Sequence, residues 1–165
     1  MNKTHTLVCQ RHESPLGTML LAASDRGLAG AWFIGQRHGP EGIPWPEVDA
    51  HPVLDEAARQ LDAYFAGTRD TFALPLDLAF GTPFQQSVWQ ALLAIPTGQT
   101  TSYAELGRRL GRPQAARAVG AAVGRNPVSV VVPCHRVLGT AGGLTGYAGG
   151  LERKTALLKL EGALM

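Results

Sequence analysis

Between Thr82 and Pro127 the chain is cut by helix start and stop signals into three short segments, and this punctuation constrains the fold more than any other feature. In "TPFQQSVWQALLAI", Thr82 is placed to cap a helix, Pro83 takes the first helical position and Gln85 is the reciprocal partner of a capping box. Phe84, Val88, Leu92 and Ile95 then fall on one face, and Pro96 ends the segment. "SYAELGRRLG" repeats the device with Ser102 and Glu105 and stops at Gly111. "RPQAARAVGAAVGRNP" predicts a third helix from about Pro113 to the residue before Asn126-Pro127.

The preceding part reads differently. "THTLVCQ", "GTMLLAAS" and "GLAGAWFI" are short apolar runs divided by Gly, Pro and Asp-Arg turn signals, which predicts a three-stranded antiparallel sheet. A Gly- and Pro-dense loop follows, then a helix over "PVLDEAARQLDAYFAGT" with Leu54, Ala57, Ala58, Leu61 and Phe65 as its apolar positions and a stop at Gly67. Pro75 limits "DTFALPLDLAFGTP" to one short strand at most. After the three helices come "VSVVV", whose β-branched content predicts a buried strand, a Gly-rich loop, and a last helix over "LERKTALLKLEGALM". The expected class is α+β, with a sheet-plus-helix unit over residues 1–78 and a mainly helical unit over 82–165.

At 165 residues and 45% hydrophobic content the chain can bury a core of its own. No run approaches the length of a membrane span, and the polar start lacks a secretory pattern, so a cytoplasmic protein away from membranes is expected. The net charge is only +2, but Gly107 to Arg136 holds Arg108, Arg109, Arg112, Arg117, Arg125 and Arg136 without an acidic residue. That asymmetry fits either a polyanion partner or a solvated arginine-rich surface. The second and third helices, joined by "LGRP", have the layout of a helix-turn-helix. Ala115, Ala116, Ala118, Gly120, Ala121 and Ala122 leave the third helix almost without bulk, and Arg117 stands alone on it. Such a helix suits close approach to a nucleic-acid groove or close packing inside the protein, and the neighbouring arginines favour the groove.

Cys134, in "VPCHRV", is either a nucleophile or a small packed hydrophobe. His135 follows directly, yet neighbours in an extended strand face opposite ways, so the chain must turn here or a water must bridge the two side chains. Pro133 makes that turn plausible. A catalytic histidine needs a carboxylate on its second nitrogen, and Glu152 and Glu161 are the two downstream. Glu152 suits the first turn of the last helix, whereas Glu161 sits at the C-terminal end where the dipole disfavours it, so Glu161 is the preferred partner. Cys9, His12, His38 and His51 match no compact zinc pattern, and neither a metal nor a cofactor is expected.

The run from Pro83 to Leu158 closely resembles the C-terminal domain of the O6-alkylguanine-DNA alkyltransferases, the methylated-DNA–protein-cysteine methyltransferases. "PCHRV" is that family's active-site signature, and "SY", "AARAVG", "RNP" and "GY-GG" stand at matching positions. The N-terminal part fits the family in length and layout only. The resemblance implies a winged helix-turn-helix and irreversible transfer of the alkyl group from O6-alkylguanine, with O4-alkylthymine as a second substrate. Duplex DNA carrying alkylated bases would be the partner, with the protein a monomer and with cooperative assembly on DNA left open. Cys134 would be the alkyl acceptor, His135 the base acting through a water, Glu161 its orienting carboxylate and Asn126 the brace of the Cys134 segment. Arg117 would fill the stack left by the flipped base, Tyr103 would crowd the 3′ phosphate and hydrogen-bond that base, and Ser102, Ala116 and Gly120 would lie along the DNA. Backbone groups of Cys134, Val137 and Ala148 would read the guanine edge, with Tyr147 as a pocket wall. Ala148 departs from relatives that carry serine there, and the N-terminal histidines do not reproduce the zinc site of certain animal relatives. A non-catalytic lesion-recognition module is the alternative; members of that branch carry tryptophan in place of the cysteine, which Cys134 argues against.

Overall fold

In the computed structural model, which describes residues 6–139 and 146–164, the chain opens with three antiparallel strands, β1 (Val8–Ser14), β2 (Gly17–Ala23) and β3 (Leu28–Phe33). Helix α1 (Pro52–Phe65) packs on one face of this sheet. His51 caps it through Nδ1, which accepts from Val53 N at 3.2 Å, and Gly67 follows the end at φ 78°, the left-handed conformation that lets a helix stop. Leu54, Ala57, Leu61 and Tyr64 point from α1 into a core shared with Met19, Leu21 and Phe33. The other sheet face is covered as well. Leu20, Ala22 and Trp32 meet Trp45 from the β3–α1 connection, and the two indoles stack with centroids 5.6 Å apart. The unbroken apolar run of β2 is the sequence mark of a strand buried on both sides.

The second half carries α2 (Pro83–Leu93), α3 (Tyr103–Arg109), α4 (Ala116–Gly124) and α5 (Leu151–Leu160), with a two-residue parallel pairing of β4 (Thr101–Ser102) and β5 (Val137–Leu138). The capping box at Thr82 and Gln85 is complete. At Ser102 only half of it forms: Ser102 Oγ accepts from Glu105 N at 3.0 Å, while the Glu105 carboxylate turns away to Arg108 and Arg109. A charged partner outcompetes the backbone N–H there. The third helix begins at Ala116, three residues later than Pro113, because Arg112–Ala115 form the turn between α3 and α4. That crossing is tight: a Cβ on Gly107 would stand 2.9 Å from the Arg112 carbonyl oxygen. Trp89 of α2 donates its indole N–H to Ala122 O at 2.8 Å, which locks α4 to the helix before it.

The expected strand over "VSVVV" does not form. Val128 makes a single parallel bridge to Ala31, and the chain then folds back, with Val132 N donating to Val128 O at 2.9 Å. Val130 sits at φ 73°, a conformation that crowds a β-branched side chain. β-branched content predicted extension from local preference; tertiary contacts and the Asn126 side chain override it here.

Candidate active site and nucleic-acid interface

Asn126 shapes the segment that delivers Cys134. Its Oδ1 accepts from Val128 N at 2.9 Å and its Nδ2 donates to Val132 O at 2.7 Å, so one buried amide clasps both ends of the turn. Cys134 N also donates to Val132 O, at 2.8 Å. Cys134, His135 and Arg136 then form a single 3-10 turn after Pro133. The chain therefore turns at the cysteine, one of the two arrangements that the adjacency of Cys134 and His135 allows.

Below this turn lies a buried ionic network. His135 Nε2 is 2.7 Å from Glu161 Oε2 at the C-cap of α5. Arg136 holds the same carboxylate with two bonds, Nε to Oε1 at 2.8 Å and NH2 to Oε2 at 2.9 Å, and donates to Ile95 O at 2.6 Å. Tyr64 Oη donates to Oε2 at 2.6 Å. Burial alone would raise the Glu161 pKa, but hydrogen bonds from His135, Arg136 and Tyr64 outweigh it and pull it down to about 2. An ionised carboxylate only accepts, so His135 carries its proton on Nε2 and presents a bare lone pair at Nδ1. Nδ1 is buried with no partner among the described residues. Burial also lowers the His135 pKa, with Arg136 and Lys154 acting the same way against the raising effect of Glu161, so the ring is neutral at pH 7.

Arg136 fits neither expectation for the arginine run, a polyanion-binding or a solvated surface, because it is buried. The residue is 6% exposed, and its guanidinium belongs to the network, not to the surface. Arg108 and Arg109 pair with Glu105, and Arg112 lies over the Phe84 ring at 5.5 Å. Arg117 and Arg125 are exposed.

Cys134 is 6% exposed, and burial pushes its thiol up to about 11, opposed by a hydrogen bond from Asn126, the charge of Lys154 and a backbone hydrogen bond. Lys154 is fully buried one helical turn into α5 and donates to Val137 O at 2.6 Å. Desolvation pulls its pKa down to about 8 against the opposing charge of Cys134. Nothing in the sequence reading singled out Lys154 or Tyr64. A lysine in an apolar helix stripe was a signal for the first; Tyr64 looked like any core aromatic.

Beside the cysteine segment lies a cavity of about 350 Å³ walled by Tyr103, Gly120, Arg125, Tyr147 and Ala148, with Arg37 and His38 at its rim. This is within the size range of small-ligand sites. Cys134 does not line it, but Tyr147 does, and the Tyr147 phenol is close enough to feel the charge of Cys134. Gly149 lets that ring lie flat against the chain, since a Cβ there would meet it at 2.6 Å. Tyr103 Oη reaches Gly146 O at 3.4 Å. Val137 uses its N–H on Cys134 O and its carbonyl on Lys154, whereas the Ala148 carbonyl accepts from Arg37 N at 2.9 Å. Much of the Gly-rich loop before the last helix, residues 140–145, lies outside the described residues.

On α4, Val119, Ala122 and Val123 face inward, while Arg117, Ala118 and Ala121 are exposed and Ala116 and Gly120 half-buried. The outward face is therefore a smooth stripe with one cation. Ser102 is the N-cap of α3 beside it. A larger cavity, about 630 Å³, lies under the β3–α1 connection against Trp32 and Ile43, and no cysteine lines it. The four residues weighed as metal ligands are dispersed: Cys9 Sγ is 3.4 Å from Trp45 O, His12 pairs with Asp62, His51 caps α1 and His38 stands at the smaller cavity.

Comparison with known proteins agrees with this arrangement over both halves. The family described as 6-O-methylguanine DNA methyltransferase matches through its DNA binding domain over residues 83–163 and through its ribonuclease-like domain over residues 7–78. A methylated-DNA–protein-cysteine methyltransferase of Mycobacterium leprae is 51% identical over 93% of this chain and 91% of its own length. One of Methanosarcina acetivorans is 48% identical over 92% of this chain and 96% of its own. The crystal structure of Mycobacterium tuberculosis OGT in complex with DNA superposes with a TM-score of 0.85 at 45% identity, covering 94% of this chain and 93% of that one. With half of its residues shared along nearly its whole length, the chain belongs to the methylated-DNA–protein-cysteine methyltransferase family.

Proposed function

We propose that this protein repairs DNA by moving the alkyl group of O6-alkylguanine, and of O4-alkylthymine, irreversibly onto Cys134. The observation that carries this reading is a buried Cys134 whose neighbour, His135, is held by an ionised Glu161 beside a base-sized cavity next to the smooth face of α4. With the thiol raised to about 11, only about one molecule in ten thousand holds a thiolate at pH 7, so proton removal must accompany attack. His135 Nδ1 takes the thiol proton through a bridging water, and Glu161 stabilises the imidazolium. The sulfur forms its bond to the alkyl carbon as the carbon–oxygen bond breaks. The electron pair stays on the guanine, where Tyr103 donates a hydrogen bond to the leaving base. The product thioether has no carbonyl for water to attack, so each molecule acts once.

Base flipping supplies the guanine to the cavity. Arg117 enters the vacated stack from the minor groove, Ser102, Ala116 and Gly120 let the backbone come close, and Arg125 faces phosphate. Asn126 braces the turn, Val137 and Ala148 offer backbone groups to the base, and Tyr147 walls it. Val137 N–H already serves Cys134 O, and its carbonyl, which takes one bond from Lys154, has a second lone pair to offer. Residues 1–78 and 82–165 act as two units, the second holding the chemistry, in a cytoplasmic monomer that needs no cofactor. Among the described residues no helix is long and apolar enough to cross a membrane. Incubation with a duplex containing O6-methylguanine adds one methyl mass to the Cys134 peptide and stops at one equivalent. Sustained turnover, or tight lesion binding without any mass change, overturns the reading, the latter in favour of a recognition module.

A further inference from the structure

The Glu161 carboxylate is shared among more partners than a simple histidine relay needs. Oε2 accepts from His135 Nε2 at 2.7 Å, Arg136 NH2 at 2.9 Å and Tyr64 Oη at 2.6 Å, so the Tyr64 contact is the shortest of the three. Tyr64 is 97 residues distant from Glu161 in the chain and lies on α1, the helix that packs on the N-terminal sheet. Its ring is 2% exposed and wedged edge-on against Phe65 and tilted against Phe72, with both centroids 5.3 Å away, which leaves the hydroxyl one direction to point. The phenol pKa is raised, by burial first and then by Glu161, so the group stays protonated and acts as a permanent donor.

We propose that Tyr64 is a positioning residue of the alkyl-transfer site, which shares Glu161 Oε2 with His135 and thereby weakens the pull of that carboxylate on the imidazole. The proposal rests on the role given above to His135. A carboxylate oxygen divides its negative charge among its donors; one that already holds a strong phenol bond offers less to the Nε2–H. Removing the hydroxyl strengthens the His135–Glu161 bond and makes Nδ1 more basic. Among the described residues, the charged and titratable groups facing this network are Cys134 and Arg136 on the same turn as His135, Lys154 and Glu161 from α5, Tyr64 from α1, and Tyr147 before α5, and of these Tyr64 alone comes from the N-terminal half. The sheet-bearing half would thus set the strength of the base used by the other.

Tyr64→Phe keeps the ring and its aromatic cage while deleting the donor. In single-turnover alkylation against pH, the rate falls in acid as His135 takes up a proton. In Tyr64→Phe that limb moves to higher pH by about half a unit, equivalent to about a threefold loss of rate at a fixed pH on the limb. The rate above the limb is kept or raised. A uniform loss at every pH with an unmoved limb marks a packing role and overturns the proposal. Nitrogen-15 NMR titration of His135 in the intact protein reads the same quantity without alkyl transfer: its midpoint rises in Tyr64→Phe, and an unchanged midpoint refutes the idea even if the proposed reaction itself fails. Replacing Tyr64 by 3-fluorotyrosine, a more acidic phenol and stronger donor of nearly the same shape, shifts the midpoint the opposite way. The absence of that shift also refutes it, should Tyr64→Phe not fold.

Discussion

Asn126→Ala removes the clasp that shapes the cysteine segment, and its consequence can be worked from the hydrogen bonds. Val128 N loses the Asn126 oxygen at 2.9 Å, its side-chain partner in a fully buried position. A buried donor left unmet costs about 1–3 kcal/mol. Val132 O loses the Asn126 amide at 2.7 Å but keeps Cys134 N at 2.8 Å, so this loss is an ordinary bond of about 1 kcal/mol. The sum is about 2–4 kcal/mol, a large part of the roughly 5–15 kcal/mol that holds a domain together. The clasp also holds Val130 at φ 73°, a conformation worth about 1–3 kcal/mol of strain. Once released, the turn relaxes toward extended backbone and carries Cys134 with it. Displacement by about 1 Å is enough for about a hundredfold loss of rate. Urea melts give the first quantity and single-turnover alkylation of a methylated duplex the second. Asn126→Asp separates them, because it keeps the acceptor for Val128 N and recovers part of the stability, while its charge beside Cys134 holds the thiol protonated and the rate low. Melting of Asn126→Ala within 1 kcal/mol of the parent, together with the parent rate, refutes the reasoning.

Two further expectations follow from the network and from α4. Glu161 is held down to about 2 in the folded protein, below its unfolded value, so its contribution is present above about pH 4.5 and is lost as pH falls toward 2. That contribution reaches at most about 3 kcal/mol. His135, lowered by burial, adds a loss that starts where the unfolded imidazole takes a proton the folded ring refuses. Acid unfolding followed by circular dichroism therefore shows stability declining in two stages below neutrality, and a flat profile from pH 7 to 4 contradicts it. Arg117→Ala slows repair of a lesion within duplex DNA far more than reaction with free O6-alkylated guanine base; equal losses on both substrates, measured by methyl incorporation, remove Arg117 from base flipping.

Features set by short-range chemistry were legible in the sequence. The Thr82 capping box, the Pro96 stop and the smooth composition of α4 depend on residues within a few positions of each other. Glu161 was found by an argument about one helix end, and its carboxylate lies against His135. What escaped depends on distant partners. "VSVVV" has the composition of a strand, but a side chain at Asn126 and a single bridge to Ala31 bend it into a turn. Arg136 sits in a row of surface arginines and is set apart by distant partners, Glu161 25 positions on and the Ile95 carbonyl 41 positions back. Tyr64 belongs to the apolar stripe of its helix, and only the folded chain reveals the carboxylate at the end of its hydroxyl.

The outer edge of β3 has a consequence for what becomes of a damaged or truncated chain. Its backbone groups are filled by two pieces from outside the sheet: Leu28 by Pro75 and Asp77, and Ala31 by Pro127 and Ser129. The second piece is the same segment that Asn126 folds under Cys134. Whatever loosens the cysteine turn also bares the rim of an apolar sheet, and a bare rim recruits strands from other molecules. A fragment ending before Pro127 would keep three strands rich in Leu, Ala and Trp with part of one side unsealed. Such a piece would be prone to self-association, so the repair segment also serves as the seal that keeps its own support soluble.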